Sequence, residues 1–152
     1  MTDILLRQDK NSVATLSLND LPANSLSMPM MNEIQVQLRS IEQDDAIRVV
    51  VIKSESEKIF CSGHNLKEVK GFMENKDTDS QIELFSTCSS MMKQIQGLSK
   101  PVIAQVRGIA TAAGTQLLAS CDLAYGSQDS KYATPGVNIG LFCHTPQVAV
   151  SR

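Results

Sequence analysis

Of all the segments in this chain, two short stretches of small residues have the pattern most typical of a catalytic site. They are FCSGHNLKE at residues 60–68 and GIATAAGTQL at residues 108–117. Each lies where a strand is predicted to end and a helix to begin, so backbone N–H groups at the junction lack partners within the chain. Two such junctions that face each other can donate hydrogen bonds to one oxygen that gains negative charge. The pattern therefore predicts an oxyanion hole made of main chain, and chemistry at a carbonyl group.

The elements that must position these stretches follow from hydrophobic periodicity and from turn residues. The order of elements is β-β-α-β-α-α-β-α-β-β, which predicts an α/β fold with right-handed crossovers. The predicted strands cover residues 4–7, 13–18, 49–52, 102–106, 123–125 and 131–133, and the predicted helices cover about 28–44, 66–73, 82–97 and 112–120, with a further helix starting near Pro146.

Several local features are also predicted. Ser27 is expected to cap the first helix, and Thr78 and Gln81 have the spacing of a capping box. The run VVVI at residues 49–52 is typical of a parallel strand that is buried on both faces. The residues expected to form the buried stripe of the long helix are Ile82, Phe85, Met92 and Ile95.

Composition excludes several function classes. The chain has 152 residues, which is enough for one domain with a hydrophobic core. The net charge is −2, aromatic residues make up 4%, and there is no Trp, which argues against a nucleic-acid surface. No apolar run approaches the ~20 residues that cross a bilayer, so no membrane partner is expected.

The cysteines and the N-terminus bear on metal binding and location. Cys61, Cys88, Cys121 and Cys143 are widely separated and form no Cys-x-x-Cys pair. We therefore expect no metal site and free thiols in a reducing compartment. The first residues lack the pattern of a signal or transit peptide, which predicts a cytoplasmic location. A mitochondrial matrix location would require a leader that is missing from this chain.

Taken with the segments KPVIA at residues 100–104 and ASCDLA at 119–124, the two stretches resemble the crotonase (enoyl-CoA hydratase/isomerase) superfamily. The likeness begins near residue 11 and extends to the end of the chain. It implies a ClpP/crotonase spiral of ββα units, with residues 1–152 as its N-terminal domain and the family's C-terminal helical region absent. It also implies trimers or hexamers, no permanently bound cofactor, and a coenzyme A thioester as substrate or ligand.

The resemblance also implies a set of site residues. The donors of the oxyanion hole would be the amides of His64 and Ala113. The thioester would lie across residues 62–64, with Ala23 and Leu66 near the nucleotide and Lys67 near the phosphates. The full set of implied substrate-binding residues is Ala23, Ser62, Gly63, His64, Leu66, Lys67, Ala112, Ala113 and Pro135.

Two departures from the family pattern concern proton transfer. Hydratases of this family carry two glutamates, and the corresponding positions here hold Gln116 and Gly136. Glutamine does not shuttle protons near neutral pH and glycine has no side chain, so ordinary hydration is not expected. The run ATPGVNIGLFC at residues 133–143 resembles the enoyl-CoA hydratase domain-containing branch. Some decarboxylating relatives have a histidine at the position of His64, but they pair it with a tyrosine at the position of Cys143.

Three classes of function remain open at this point. The first is a lyase or isomerase with a different proton relay. The second is a thioester hydrolase or decarboxylase in which His64 positions a carboxylate or water. The third is a non-catalytic acyl-CoA binder or partner subunit. The missing glutamates favour the second and third classes over ordinary hydration. The small-residue stretches favour a function that involves thioester chemistry over a function without it.

Several single residues also keep simpler interpretations. His64 can be an ordinary surface histidine, and Lys67 and Lys70 can form a solvated helix face. Nothing in the sequence near Cys61 or Cys143 supplies the base or cation that would activate a nucleophile. Asp122 is expected to bind backbone rather than to catalyse.

Two further expectations concern packing. A bulky residue at position 114 is expected to crowd the site while leaving the fold intact. The chain is also expected to be the ordered part of a longer polypeptide or to self-associate, as a trimer around the helix of the second stretch, because apolar faces of this helix and of residues 82–95 would lose their cover.

Overall fold

A computed structural model describes residues 3–140 and 142–151 of the chain. The described residues alternate between strands and helices, which confirms the α/β prediction. In chain order the elements are β1 (Leu5–Lys10), β2 (Val13–Leu18), α1 (Met28–Glu42), β3 (Val49–Ser54), β4 (Ile59–Cys61), α2 (Leu66–Glu74), α3 (Thr78–Gly97), β5 (Val102–Val106), β6 (Ile109–Thr111), α4 (Ala113–Ala119), β7 (Leu123–Gly126), β8 (Lys131–Ala133), a 3-10 segment (Pro135–Ile139) and α5 (His144–Val150).

The strands form two sheets. The larger sheet has the order β1-β2-β3-β5-β7, in which only the β1–β2 pair is antiparallel. The smaller sheet has the order β4-β6-β8 and is parallel. From β3 onward, each successive pair of strands therefore supplies one strand to each sheet, which is the spiral arrangement that the resemblance implies.

Strands β4 and β6 are absent from the sequence-based prediction. Each has only three residues. Strand β4 ends within the first small-residue stretch, and β6 lies within the second. Such short segments carry too few residues for period-2 alternation to be visible. They matter because they place the two stretches side by side in the smaller sheet.

Helix α1 agrees with its prediction. The Ser27 hydroxyl caps the helix by accepting a hydrogen bond of 3.3 Å from the Met30 amide. The apolar residues that recur along it with helical spacing, Met31, Ile34, Leu38 and Ile41, are all buried. A polar face and an apolar face with 3.6-residue spacing are sufficient to orient this helix against the larger sheet.

Helix α3 differs from its prediction in two respects. Asp77 caps the helix by accepting a hydrogen bond of 3.0 Å from the Ser80 amide, so the capping box at Thr78 is wrong. Ile82 and Phe85 are exposed rather than buried. The stripe that faces the core consists of Leu84, Cys88, Met91, Met92 and Ile95.

Strand β3 also departs from its prediction. Val50 and Ile52 are fully buried, whereas Val49 and Val51 are only partly buried, so the strand is not covered equally on both faces. Among the described residues, no helix has the length and apolarity to cross a membrane. No cluster of three or more His, Cys, Asp or Glu in the described part of the chain could hold a metal ion.

Candidate functional site

The first junction follows strand β4 and leads into helix α2. Gly63 has a backbone φ of 87°, a left-handed value that favours glycine. The Gly63 carbonyl accepts a hydrogen bond of 2.8 Å from the Leu26 amide, and the Ser62 amide donates one of 3.1 Å to the Ala23 carbonyl. The loop before α1 is thereby fixed beside the first stretch. This contact brings two of the implied substrate-binding residues, Ala23 and Ser62, together.

The second junction follows strand β6, where Ala112 has a φ of 50° and a ψ of −123°. A non-glycine residue in such a conformation costs about 1–3 kcal/mol, so the surrounding structure must hold it. The Ala112 amide donates to the Ala133 carbonyl at 2.9 Å, and the Ala112 carbonyl accepts from the Gln116 amide at 3.1 Å. The Thr115 hydroxyl also contacts the Ala133 carbonyl, at 2.9 Å. This strained turn changes the chain direction from β6 into α4, which begins at Ala113.

The two junctions are in direct contact. A Cβ atom built on Gly63 would lie 3.1 Å from the Ala112 Cβ atom and 3.1 Å from the Ala113 nitrogen. The Thr111 hydroxyl donates a hydrogen bond of 2.9 Å to the Ser62 carbonyl. The structure thus brings together the two stretches that the sequence predicts as halves of one site.

Gly114 lies where the stretches approach most closely. A Cβ atom at this position would be 2.2 Å from the Cys61 carbonyl oxygen, much closer than any real contact. The expectation that a bulky residue at Gly114 would leave the fold intact is therefore wrong. Position 114 determines how α4 packs on β4, in addition to any effect on a ligand.

The backbone amides of His64 and Ala113 are the predicted donors. Within residues 3–140 and 142–151, neither amide donates a hydrogen bond to another group of the chain. Ala113 is the first residue of α4, so its N–H has no acceptor one turn earlier in the helix. Both amides therefore lack an acceptor among the described residues.

The His64 side chain is partly buried, so the alternative of an ordinary surface histidine is wrong. Its ring lies edge-to-face with the ring of Phe85, with centroids 5.2 Å apart and planes at 86°. Its Nδ1 atom is buried, and no group in the described part of the chain forms a hydrogen bond with it. Burial lowers the pKa of His64, and the nearby Leu26 backbone opposes this shift only in part. Burial therefore favours the neutral form of the imidazole.

Phe85 is a residue of this site that the sequence pattern does not identify. Helical spacing places it in the core stripe of α3, yet half of its surface is exposed. Spacing alone cannot distinguish a core residue from one that contacts a partly buried side chain at the edge of the core. The contact with His64 becomes visible only when α3 and the first junction are seen together.

Leu66 and Lys67 lie on the first turn of α2, and both side chains are exposed, Leu66 by 66%. The Asn65 side chain caps this helix by accepting a hydrogen bond of 3.0 Å from the Lys67 amide. Lys70 forms an exposed ion pair of 3.5 Å with Glu74. The Lys70 contact agrees with the simpler interpretation of a solvated helix face.

Gln116 and Gly136 are the residues that the resemblance places at the positions of the family glutamates. Gln116 is in the first turn of α4, and Pro135 and Gly136 open the 3-10 segment after β8. The Gly136 amide donates a hydrogen bond of 3.2 Å to the Cys143 sulfur. At these positions the chain therefore offers one amide side chain and no carboxylate.

Other polar candidates have structural roles. The Asp122 carboxylate accepts a hydrogen bond of 2.7 Å from the Val102 amide, which confirms that it binds backbone. Burial raises the pKa of Cys61 to about 12, so this thiol is not a nucleophile near neutral pH. Burial also raises the pKa of Cys121 to about 12. All four cysteines are free thiols, as predicted.

The buried imidazole predicts how stability depends on pH. Because burial lowers the pKa of folded His64, the unfolded chain binds a proton more readily. The stability that this group contributes is complete above about pH 6.5, the ordinary histidine value, and is lost as the pH falls below it. Urea unfolding between pH 5 and 7.5 should show this loss in the wild type and a smaller loss in His64→Gln.

The exposed histidine provides the control for that experiment. His144→Gln is expected to keep the pH dependence of the wild type, because His144 is exposed and lies outside the site. Equal pH slopes for the wild type and His64→Gln would contradict the assignment of the effect to His64.

Comparison with known proteins supports the family that the geometry suggests. The model of the enoyl-CoA hydratase/isomerase family matches residues 8–150. The chain is 43% identical over 152 residues to the mitochondrial enoyl-CoA hydratase domain-containing protein 3 of Xenopus laevis, covering 99% of this chain and 50% of that protein. It is 44% identical over 134 residues to the human protein of the same name, covering 88% and 43%. The chain therefore spans about half the length of these relatives.

Solved structures show the same similarity. The crystal structure of human enoyl-CoA hydratase domain-containing protein 3 superimposes with a TM-score of 0.92 at 40% identity, covering 99% of this chain and 58% of that one. An enoyl-CoA hydratase/isomerase family protein from Silicibacter pomeroyi gives a TM-score of 0.89 at 44% identity, covering 97% and 62%. The two adjoining junctions, the spiral of paired strands and these matches place the chain in the enoyl-CoA hydratase/isomerase family, with the crotonase fold.

Proposed function

We propose that this chain binds an acyl-CoA thioester and polarises its carbonyl group through an oxyanion hole formed by the amides of His64 and Ala113. The observation that carries the proposal is the direct contact between the junctions, with Gly63 packed against Ala112 and Ala113. Two unpaired amides on adjoining junctions provide donors for the oxygen of an enolate. Membership of the family supports the thioester as ligand.

The remaining implied residues complete the proposed binding site. Ala23 and Ser62 lie side by side next to Gly63 and border the thioester. Leu66 and Lys67 extend along exposed α2 towards the nucleotide portion of the ligand. Pro135 follows the strand that anchors the second junction. Coenzyme A enters here as part of the substrate or ligand and not as a permanently bound cofactor.

The experiment uses two ligands that differ at one carbon atom, which is a carbonyl in one ligand and a methylene in the other. Butyryl-CoA has the thioester carbonyl, whereas S-butyl-CoA is the thioether that lacks it. Two hydrogen bonds to the carbonyl should make butyryl-CoA bind about tenfold more tightly, or better, in calorimetry. Equal affinities of the wild-type chain for the two ligands would overturn the oxyanion hole, and free CoA serves as the reference for the shared part of the ligand.

Thioester hydrolysis is a second candidate, and the environment of His64 favours it. Burial lowers the pKa of this side chain, which favours the unprotonated form that a general base requires. Release of free CoA from butyryl-CoA, followed by mass spectrometry, should fall in His64→Gln if this activity exists. Release that is unchanged in His64→Gln would contradict a role for the imidazole.

A non-catalytic role as an acyl-CoA binder or partner subunit agrees with Gln116 and Gly136. In that case butyryl-CoA would bind with the carbonyl preference described above, but no product would form. The binding and turnover measurements together therefore separate this candidate from a hydrolase.

We also propose that the chain associates into a homotrimer or hexamer. Large apolar side chains remain exposed on the last elements of the spiral, and exposed patches of this kind commonly form interfaces. None of them is on α4, where the sequence led us to expect them, whereas Ile82 and Phe85 of α3 are exposed, as expected for part of the face at residues 82–95. The exposed large residues on these last elements are Leu123, Tyr125, Tyr132, Val137, Phe142, Val148 and Val150.

Light scattering tests the association. A monodisperse, thermally stable monomer would contradict it.

The names of the matched relatives include a mitochondrial location, which supports the mitochondrial matrix rather than the cytoplasm as the proposed location of this protein.

A further inference from the structure

We propose that Phe85 is a positioning residue for His64, which holds the imidazole in one orientation beside the oxyanion hole. This inference rests on the proposed function, because the imidazole matters only if an acyl group lies next to it. Phe85 belongs to α3, which contributes no residue to the proposed hole itself.

The contact between the two rings is the first basis of the proposal. The centroids are 5.2 Å apart and the planes are nearly perpendicular, at 86°. This edge-to-face arrangement is one of the preferred geometries of aromatic pairs. It fixes the tilt of the imidazole as well as its distance from α3.

The second basis is that one buried nitrogen of the imidazole has no hydrogen-bond partner. Its Nδ1 atom is buried, and within the described residues nothing forms a hydrogen bond with it. A histidine ring is ordinarily oriented by a hydrogen bond to one of its nitrogens. The edge-to-face contact with Phe85 therefore acts together with the Leu26 backbone in orienting the ring.

The third basis is the position of Phe85 on its helix. The stripe of α3 that faces the core is complete without it, and half of the Phe85 surface is exposed. A phenylalanine in this position contributes less to core burial than the neighbouring Leu84, which is fully buried. Outside its own helix, its ring contacts the ring of His64.

Three substitutions separate positioning from simple packing. Phe85→Ala removes the ring, and Phe85→Tyr retains it. Ile82→Ala is the matched control, because Ile82 is also a large apolar residue, is 59% exposed, and lies about one turn earlier on the same helix. Both positions are exposed enough that the three variants should fold, which thermal unfolding will verify.

The first measurement is the NMR spectrum of the ligand-free protein. The chain has two histidines, so His144→Gln assigns the imidazole signals. We expect the His64 ring signals to move in Phe85→Ala through loss of the ring-current shift, and to stay near wild type in Phe85→Tyr and Ile82→Ala. His64 signals that are unchanged in Phe85→Ala would overturn the inference without affecting the proposed hole.

The second measurement compares the affinities for butyryl-CoA and free CoA. Phe85→Ala should weaken butyryl-CoA binding about threefold to tenfold, the range expected of an aromatic pair, and leave CoA binding unchanged. Phe85→Tyr should restore the affinity. Unchanged butyryl-CoA affinity in Phe85→Ala would overturn the positioning role. A wild-type chain that binds both ligands equally would overturn the proposed function, and this inference with it.

Discussion

Hydration of crotonyl-CoA by the wild-type chain is expected to be slower than about 0.1 s⁻¹, at least a hundredfold below the ordinary enzyme median of about 10 s⁻¹. Addition of water needs a base that activates water for attack on Cβ and an acid that delivers a proton to Cα. Each group raises the rate by about 10²–10⁴-fold. Gln116 and Gly136 supply neither group. The measurement is the loss of crotonyl-CoA absorbance at saturating substrate.

The variant Gln116→Glu tests whether one carboxylate is sufficient. It should restore only a trace of hydration, because Gly136 leaves the second role unfilled. Binding of butyryl-CoA by the same preparation provides the control, since it shows that slow turnover does not reflect an empty or unfolded site. A wild-type turnover near 10 s⁻¹ would refute the prediction and would require another acid–base pair.

Gly114→Ala should destabilise the folded chain by about 3 kcal/mol or more, although it adds one methyl group. The added Cβ atom would lie 2.2 Å from the Cys61 carbonyl oxygen and 2.8 Å from its carbonyl carbon. Both are backbone atoms of β4, so the clash cannot be relieved by a side-chain rotation. Urea unfolding should therefore show a large decrease in midpoint.

The same substitution elsewhere in the chain provides a matched control. Gly71 lies in the interior of α2, where a Cβ atom would have no neighbour within 4 Å. Gly71→Ala should stabilise the protein by about 0.5–1 kcal/mol, because alanine favours the helix. Equal midpoints for Gly114→Ala and the wild type would show that α4 can move away from β4, and that the proposed close packing does not constrain the site.

Much of the fold could be predicted from local patterns. Helix α1 carries its cap at Ser27 and a regular apolar stripe, and both features depend on residues close together in sequence. The strand pair β1–β2 is joined by Asn11 and Ser12, which have the positive φ values of a tight turn. Where a segment determines its own conformation, periodicity and turn residues are sufficient to predict that conformation from the sequence.

The candidate site could be predicted only in part. The positions of the two stretches are visible because small residues recur at the ends of strands, and the resemblance assigns the amides of His64 and Ala113. The contacts of Gly114 with Cys61 and of Phe85 with His64 join segments that are distant in sequence. No local pattern contains such contacts. For this reason a bulky residue at position 114 was wrongly expected to leave the fold intact, and Phe85 was wrongly placed in the core.

The alternation of strands between the two sheets has a consequence for the order of folding. Ile59 of β4 pairs with Ile109 of β6, and the whole of α3 and β5 lies between them in the chain. Contacts between distant segments form slowly because the intervening loop must be closed first. Helices α1 and α3 can gain structure early, whereas the two junctions meet only after successive turns of the spiral have been stacked. We therefore expect the ligand-binding region to be among the last parts of the molecule to become ordered during refolding.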